Sequence, residues 1–177
     1  MANGAGTDRA ATMLFSPIKL GAVRMPNRVV IAPMQMYMGK DGAPNDWHHA
    51  HLVKFALGGA GLIFTEALAV DPKGRNTYGD LGVWSDEFIA PLRRLADALR
   101  EAGAVPGAQL FHCGPKASRQ RPWEGYGPLG EKEAKKGEIP WQPVGPSGVA
   151  KVAGWPDPHE LTIGEIEALL DAYRQGA

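Results

Sequence analysis

The sequence predicts an α/β fold in which parallel strands alternate with helices. Three short apolar segments, at residues 28–34, 61–67 and 105–111, are predicted strands, and the first is continuously apolar, as expected of a strand buried on both faces. Helical patterns follow the first two segments. Such alternation implies parallel strands with right-handed crossovers, which fits both a doubly wound sheet and a (β/α)8 barrel.

The N-terminal region precedes the first of these strands. Residues 1–13 are mostly small and polar and have no apolar core of the kind that signal peptides carry, so they are predicted to be a disordered leader. Residues 14–20 and 23–25 then flank a Gly-Ala pair that can form a hairpin turn. The ordered part of the chain is therefore expected to run from residue 14 to residue 177.

The first predicted helix follows the strand at 28–34. Asn45 or Asp46 can cap its N-terminus, and the glycine pair at 58–59 ends it. Its residues recur at the spacing of one helical face. That face consists of His48, His51, Leu52, Phe55 and Ala56.

Two more helices are predicted from their caps and stripes. Ser85 caps the second, which Gly103 ends, and Thr162 with Glu165 forms a capping box at the start of the third. The apolar stripe of the second helix is Phe88, Leu92, Leu95, Ala96 and Leu99. The stripe of the third is Ile163, Ile166, Leu169, Leu170 and Tyr173.

A long irregular stretch separates the third strand from the last helix. It runs from residue 112 to about residue 160 and is dense in glycine and proline. Loops of this length are uncommon unless they serve as lids or binding loops. The mixed-sign run at residues 131–136 is expected to be a solvated tip of this loop.

Composition excludes several classes of function. The chain has 19 basic and 19 acidic residues, a balance that argues against nucleic acid or an anionic membrane as partner. One cysteine cannot form an internal disulfide, and no apolar run is long enough to span a membrane. We therefore expect a cytoplasmic protein; the neutral charge is compatible with small-molecule chemistry and with self-association and selects neither.

The order and spacing of several motifs resemble the opening of the Old Yellow Enzyme family of NADH:flavin oxidoreductases and ene-reductases. The first motifs are Leu-Phe-Ser-Pro-Ile-Lys-Leu-Gly at 14–21 and Pro-Asn-Arg-Val-Val-Ile-Ala-Pro-Met at 26–34. Further similar segments lie at residues 65–70, 74–75, 80–86, 109–112 and 121–125. Tyr37 is similar to a tyrosine of the thermophilic-type subgroup that includes xenobiotic reductase. The resemblance implies the first three βα units of a (β/α)8 TIM barrel, with an N-terminal capping hairpin and a long loop after strand three.

The resemblance also implies a cofactor and a reaction. Members bind FMN at the C-terminal ends of the strands, take hydride from NADPH or NADH, and pass it to an activated alkene. The positions expected to contact FMN are Ala32, Pro33, Met34, Gln35, Ala67 and Gln109. Tyr37 is expected to line the substrate pocket. A glutamine amide offers both a donor and an acceptor, which suits the flavin pyrimidine edge.

Each of these assignments has a purely structural alternative, and two positions depart from the family. Strand packing alone could explain residues 32–34, and a small core residue or an ordinary tyrosine could explain Ala67 and Tyr37. Gln35 stands where the subgroup most often has cysteine, and Pro115 stands where arginine is common. The glutamine amide is a larger and stronger donor, so we expect Gln35 to alter both the flavin potential and the pocket volume implied by the resemblance.

Neither a metal site nor a nucleophile is expected. His48 and His51 share a helical face, but no third ligand has suitable spacing. Cys113 follows His112 without any sign of the electropositive surroundings that activate a thiol.

The residues that the family uses for catalysis are expected to lie beyond this chain, and the resemblance therefore leaves two hypotheses of function. In relatives the next strand carries a His-x-x-His or His-x-x-Asn pair that holds the substrate, a tyrosine beyond it donates the proton, and later loops bind the phosphate. No catalytic residue is therefore expected within residues 1–177.

The chain is either part of an ene-reductase or a non-catalytic half-barrel that needs a complementing C-terminal half or self-association; an independent α/β binding module is a weaker alternative. Two free strand edges predict marginal stability for the chain alone.

Overall fold

The computed structural model describes residues 12–177, so the predicted leader lies outside the described residues except for its last two positions. Met13 begins a short 3-10 turn, and a hairpin of β1 (Ile18–Leu20) and β2 (Val23–Met25) follows. Ile18 pairs with Met25 across the hairpin. Gly21 at the turn has a φ of 58°, a conformation that glycine adopts without steric cost. The predicted hairpin is confirmed.

The main sheet is parallel, and its central strand is β4 (Leu62–Ala69). On one side β4 pairs with β3 (Val30–Ile31), and on the other with β6 (Val105–Phe111). The two-residue strand β5 (Leu81–Gly82) pairs with the C-terminal end of β4. The predicted parallel βαβαβ order is therefore confirmed.

The first predicted strand is much shorter than expected. Residues 28–34 were expected to be buried on both faces, but only Val30–Ile31 pairs with β4, and Val30 is exposed. Among the described residues β3 has a sheet partner on one edge only. Beyond Ile31 the chain leaves β4, and β5 takes up pairing with the far end of that strand.

The helices of the described residues are α1 (Asp46–Leu57), α2 (Ile89–Glu101), the single turn α3 (Glu131–Ala134) and α4 (Ile163–Gly176). Of these, α1 and α2 pack on one face of the sheet. The core between α1, α2 and β4 contains the buried side chains Leu52, Ala56, Ala60, Ile63, Leu95, Leu99 and Ala104. A fully buried leucine stabilises a fold by about 1.5–3 kcal/mol. This core fixes the position of the central strand β4.

The predicted caps are found at all three helices. Asn45 caps α1 by accepting from the N–H of Trp47, and His48 takes the place of the usual acidic residue because its Nδ1 accepts from the N–H of Asn45. Ser85 caps a 3-10 turn at Asp86–Phe88 that leads into α2, so three residues separate this cap from the start of α2 at Ile89. Thr162 and Glu165 form the expected capping box of α4.

The stripe of α4 has helical spacing but is only partly covered by the described chain: Leu169 and Tyr173 are half-buried, and the other three residues are exposed. No residue of α4 is buried, and Ile163 and Leu170 are 74% and 49% exposed. In the same part of the chain, no helix is long and apolar enough to cross a bilayer.

The long loop after β6 contains more structure than its composition indicates. Besides α3 it holds two short parallel strands, β7 (Val144–Gly145) and β8 (His159–Glu160). The expectation of a solvated tip is wrong for Glu133, which is buried and accepts from the N–H of Gly130 and from the amide of Gln120. The flanking lysines are exposed as expected.

Candidate functional site

The outer strand β6 has two distinct faces. Pro106, Ala108 and Leu110 line a cleft together with side chains of α2. Because side chains alternate along a strand, Gln109 points to the opposite face of the sheet. Ala67 is the direct partner of Gln109 on β4, so the two predicted cofactor residues lie side by side on the face away from the helices.

A β-bulge in β4 sets this arrangement. Phe64 pairs with Gly107 and Ala67 pairs with Gln109, so β4 advances three residues where β6 advances two. The extra residue lets Phe64 and Ala67 share one face although an odd number of positions separates them. Bulges of this kind are frequent next to functional sites, where they redirect a side chain.

The bulge also turns Glu66 into the interior. Its Oε2 accepts from the backbone N–H of Met36 at 3.1 Å and lies 3.6 Å from Nε2 of His48. Both side chains are fully buried. Burial raises the pKa of Glu66, while the neighbouring His48 and the N–H of Met36 act to lower it. Nδ1 of His48 contacts the N–H and Oδ1 of Asn45 at the helix cap, so Nε2 is the ring nitrogen that faces the carboxylate.

A second buried carboxylate organises the loop before β5. Asp80 accepts from the N–H and side-chain amide of Asn76 at 2.6 and 3.0 Å, and from the N–H and hydroxyl of Thr77 at 3.3 and 2.9 Å. Burial raises the pKa of Asp80, and these donors oppose that shift. All four groups donate, which is the environment that an ionised carboxylate requires.

Asn76 connects this loop to one predicted cofactor residue. Its Nδ2 donates to Oε1 of Gln35 at 2.5 Å, and its Oδ1 accepts from Arg119 at 2.7 Å. The thiol of Cys113 donates to the same Oδ1. Arginine can only donate, so the atom of Asn76 that faces Arg119 must be the oxygen Oδ1. The Nδ2 of Asn76 then faces Gln35, and the Gln35 atom that it meets must be the oxygen Oε1.

This assignment leaves Nε2 of Gln35 without a partner. The atom is covered, and among the described residues none accepts from it at hydrogen-bonding distance, although Asp80 lies close enough to be affected by the amide. A buried donor left unpaired costs about 1–3 kcal/mol. A donor in this state is suited to an acceptor on a bound ligand.

Tyr37 lies two residues further along in an unusual conformation. Its φ is 56°, in the left-handed region of backbone conformation that residues other than glycine and asparagine rarely adopt. A Cβ on Gly79 would overlap the carbonyl of Tyr37, so only glycine allows these two segments to pass. The ring of Tyr37 meets Trp123 edge to face at 6.3 Å, and burial, with Tyr126 beside it, raises the pKa of Tyr37 to about 12.

The remaining predicted cofactor residues lie at the start of the same segment. Ala32 and Met34 are exposed and Pro33 is partly covered, so the segment leaves the sheet with alternating orientation. Among the described residues no hydrogen bond joins Gln35 to Gln109. The structure thus pairs Ala67 with Gln109 directly, and connects Gln35 and Tyr37 to the loop at 76–80 instead.

The groups that could have carried other chemistry are inert here. Burial raises the pKa of Cys113 to about 11, so the thiol stays protonated at neutral pH. In the part of the chain that the structure describes, no cluster of three or more His, Cys, Asp or Glu side chains could hold a metal ion. His51 instead stacks on Trp47 at 4.9 Å.

Several residues of this site escaped the sequence analysis. Asn76, Thr77 and Asp80 form a pattern typical of turns in which short polar side chains bind nearby backbone, and that signal was available. Arg119 gave none, because an arginine in a polar loop is normally expected at the surface. Its guanidinium also lies over the ring of Tyr126, 4.0 Å from the centroid.

Comparison with known proteins decides the family. The model of the NADH:flavin oxidoreductase / NADH oxidase family matches residues 13–177. The chain belongs to this family. FMN and a nicotinamide are the cofactors of the family, as the resemblance implied.

Similar full-length proteins are about twice as long. The chain is 35% identical to an NADPH dehydrogenase of Geobacillus thermodenitrificans over 168 residues, which is 94% of this chain and 44% of the relative. It is 38% identical to an NADH:flavin oxidoreductase of Gibberella zeae over 175 residues, 98% of this chain and 42% of that protein. The chain therefore spans less than half the length of these relatives.

Solved structures give the same answer for the fold. Morphinone reductase in complex with tetrahydroNAD superposes with a TM-score of 0.72 at 27% identity, covering 92% of this chain and 44% of the other. An Old Yellow Enzyme homologue from Zymomonas mobilis gives a TM-score of 0.72 at 26% identity, with coverage of 93% and 44%. The predicted fold, the opening units of a (β/α)8 barrel, is confirmed.

Proposed function

We propose that the chain forms the flavin-facing part of an FMN-dependent oxidoreductase that moves hydride from NADPH or NADH to an activated alkene. The proposal depends mainly on one observation, the direct pairing of Ala67 with Gln109 on the sheet face away from the helices. Both residues lie near the C-terminal ends of parallel strands, where (β/α)8 barrels bind their ligands. The family's cofactor class supports the same assignment.

The side chains at this face fit a flavin ring. The pyrimidine edge of the ring alternates carbonyl and N–H groups, and the exposed amide of Gln109 can donate to one and accept from another. Ala67 presents only a methyl group, which lets a flat ring approach β4. Gln35 is held by the loop at 76–80 and is not paired with this face; its covered Nε2 is a further amide donor without an acceptor among the described residues.

FMN, when bound, supplies the hydride-transfer chemistry between nicotinamide and alkene. The chain's own contribution is to bind and orient. Gln109 holds the ring edge, and Tyr37 with Trp123 and Tyr126 offers aromatic surface to a substrate. Because the pKa of Tyr37 is about 12, its hydroxyl stays protonated at neutral pH and acts as a hydrogen-bonding group.

A second candidate function is a non-catalytic half-barrel that needs a complementing part. The apolar stripe on α4 supports it, because Ile163 and Leu170 are largely exposed although their spacing is that of a buried face. The outer strands β3 and β6 each have one partner strand in the described chain. The complementing part is either further barrel units or a second copy of the chain.

The test begins with flavin binding by the chain as it is. The purified protein is titrated with FMN up to millimolar concentration, and its visible absorbance is recorded before and after desalting. A perturbed flavin band that saturates supports the site, and unperturbed free FMN throughout the titration refutes it for this polypeptide. A saturating flavin band therefore favours the first candidate, and its absence favours the second. NADPH oxidation by the chain alone is expected of neither, because no catalytic residue is expected within residues 1–177.

A pair of alanine variants makes the test specific to the proposed face. Ala67→Leu puts a branched side chain where the ring should approach, and FMN binding should be lost. Ala108→Leu makes the same substitution next to Gln109 but on the helix-facing side, and binding should be kept. Equal behaviour of two folded variants would count against the proposed face.

A further inference from the structure

The segment between β3 and α1 is attached to the rest of the protein on both sides of Tyr37. On one side the N–H of Met36 donates to Oε2 of Glu66 at 3.1 Å. On the other side the N–H of Gly39 donates to the carbonyl of Gly79 at 2.8 Å. Tyr37 lies between these two bonds in the left-handed conformation.

A tyrosine does not hold this conformation without support. A residue with a Cβ is strained there, and such strain persists only where the surroundings determine it from more than one side. The chain offers two such constraints, and the constraint from β4 comes from a fully buried carboxylate. Glu66 can reach Met36 only because the β-bulge turns it away from the Phe64 and Ala67 face.

We infer that Glu66 is a positioning residue that holds Tyr37 in its left-handed conformation through the N–H of Met36, with His48 of α1 steadying the carboxylate. This inference rests on the proposed function for its meaning, since Tyr37 is the residue proposed to line the substrate side. The contacts among Glu66, Met36 and Tyr37 form in the chain without a bound cofactor. Glu66 is fully buried and accepts from the backbone of Met36, so its effect on Tyr37 passes through the backbone of residues 36–37.

His48 supports the carboxylate from the helix side. Its Nδ1 is engaged by the N–H of Asn45, so its Nε2 is the end that faces Glu66, 3.6 Å from the carboxylate oxygen. The helix cap therefore fixes the imidazole, and the imidazole faces the carboxylate that holds Met36. The capping residue of α1 is in this way connected to the loop that carries Tyr37.

The test follows the phenol of Tyr37, which responds to its conformation. In the wild-type chain the Tyr37 hydroxyl lies beside Tyr126 in a covered position, and its pKa is about 12. Glu66→Leu removes the acceptor for Met36, so Tyr37 should relax and its pKa should fall toward the ordinary value of 10.0. Ultraviolet titration of tyrosine ionisation, with Tyr37→Phe to assign the signal, measures this without any flavin.

Conservative and distant variants separate positioning from general damage. Glu66→Gln keeps an acceptor oxygen for Met36 and should leave the titration of Tyr37 as in wild type. Glu160→Leu makes the same change as Glu66→Leu at an exposed position and should also leave it unchanged. If Glu66→Leu does not fold, Gly79→Ala perturbs Tyr37 from the other side and should lower its pKa in the same way.

Two results would overturn the inference. One is a folded Glu66→Leu or Gly79→Ala chain in which Tyr37 still titrates near 12. The other is a Glu66→Gln chain that behaves like Glu66→Leu. Because the titration uses the chain without flavin, these results bear on the positioning role alone, whereas absent FMN binding bears on the proposed function.

Discussion

Replacement of Gln109 by leucine tests the proposed flavin contact most directly. Gln109 is exposed on β6, so its loss should change the free energy of unfolding by no more than about 0.5 kcal/mol. If its amide makes two hydrogen bonds to the ring, each contributing about 0.5–1.5 kcal/mol, binding should weaken by about 1–3 kcal/mol. That corresponds to a roughly 5- to 150-fold rise in the Kd for FMN.

The assay is a flavin titration in which binding is measured by fluorescence quenching, and riboflavin and FMN are compared side by side. Gln109 is proposed to contact the ring and not the phosphate, so Gln109→Leu should weaken both ligands by the same factor. Gln142→Leu removes an exposed glutamine from the long loop and serves as the matched control. Its Kd should equal that of the wild-type chain.

Three outcomes would refute the reasoning about Gln109. An unchanged Kd in the folded variant would show that the amide does not meet the flavin. A loss of affinity for FMN but not for riboflavin would move the contact to the phosphate. An equal loss in Gln142→Leu would show that the effect is not specific to the face that carries Ala67 and Gln109.

Other expectations concern stability and titration. Leu99→Ala should lower the free energy of unfolding by about 2.7–5 kcal/mol in a urea melt because Leu99 is fully buried, while Leu57→Ala, at a 75% exposed position, should change it by no more than about 0.5 kcal/mol. Cys113, with a pKa of about 11, should resist alkylation at pH 8 in the native chain and react fully in urea; equal native and denatured rates would contradict its burial. Burial raises the pKa of Glu66 above 4.5 in the folded state. The protonated carboxyl therefore favours folding at low pH, and this contribution to the free energy of unfolding is lost as pH rises through the pKa of the folded state. Glu66→Gln should thus gain stability relative to wild type from about pH 4.5 upward, and parallel pH profiles of the two proteins would disprove this.

The fold was predictable from the sequence because its signals are local. The caps at Asn45, Ser85 and Thr162 mark where helical structure starts, and Gly103 marks where α2 ends. The limits of β6 agree with the predicted segment because the apolar run and the strand coincide. The length of β3 was not predictable, since pairing depends on neighbours and not on the apolar character of the segment itself.

The site was predictable only in part. Gln35, Ala67 and Gln109 could be selected through the family resemblance, and the register of β4 and β6 brings the last two together. The network around Asn76 depends on a buried arginine from a distant loop, and no local pattern indicates that Arg119 turns inward. Contacts of this kind join positions 43 residues apart, which sequence spacing alone cannot pair.

One extra residue in β4 explains how both halves of the site arise from the same strand. Without the bulge, strict alternation would place Phe64 and Glu66 on one face and send Ala67 to the other. With it, Ala67 joins Phe64 on the face of Gln109, and Glu66 is freed to hold Met36 from inside the protein. The surface proposed to face the flavin ring and the proposed support of the Tyr37 segment are therefore not independent, and a deletion that restored regular pairing in β4 should abolish both at once.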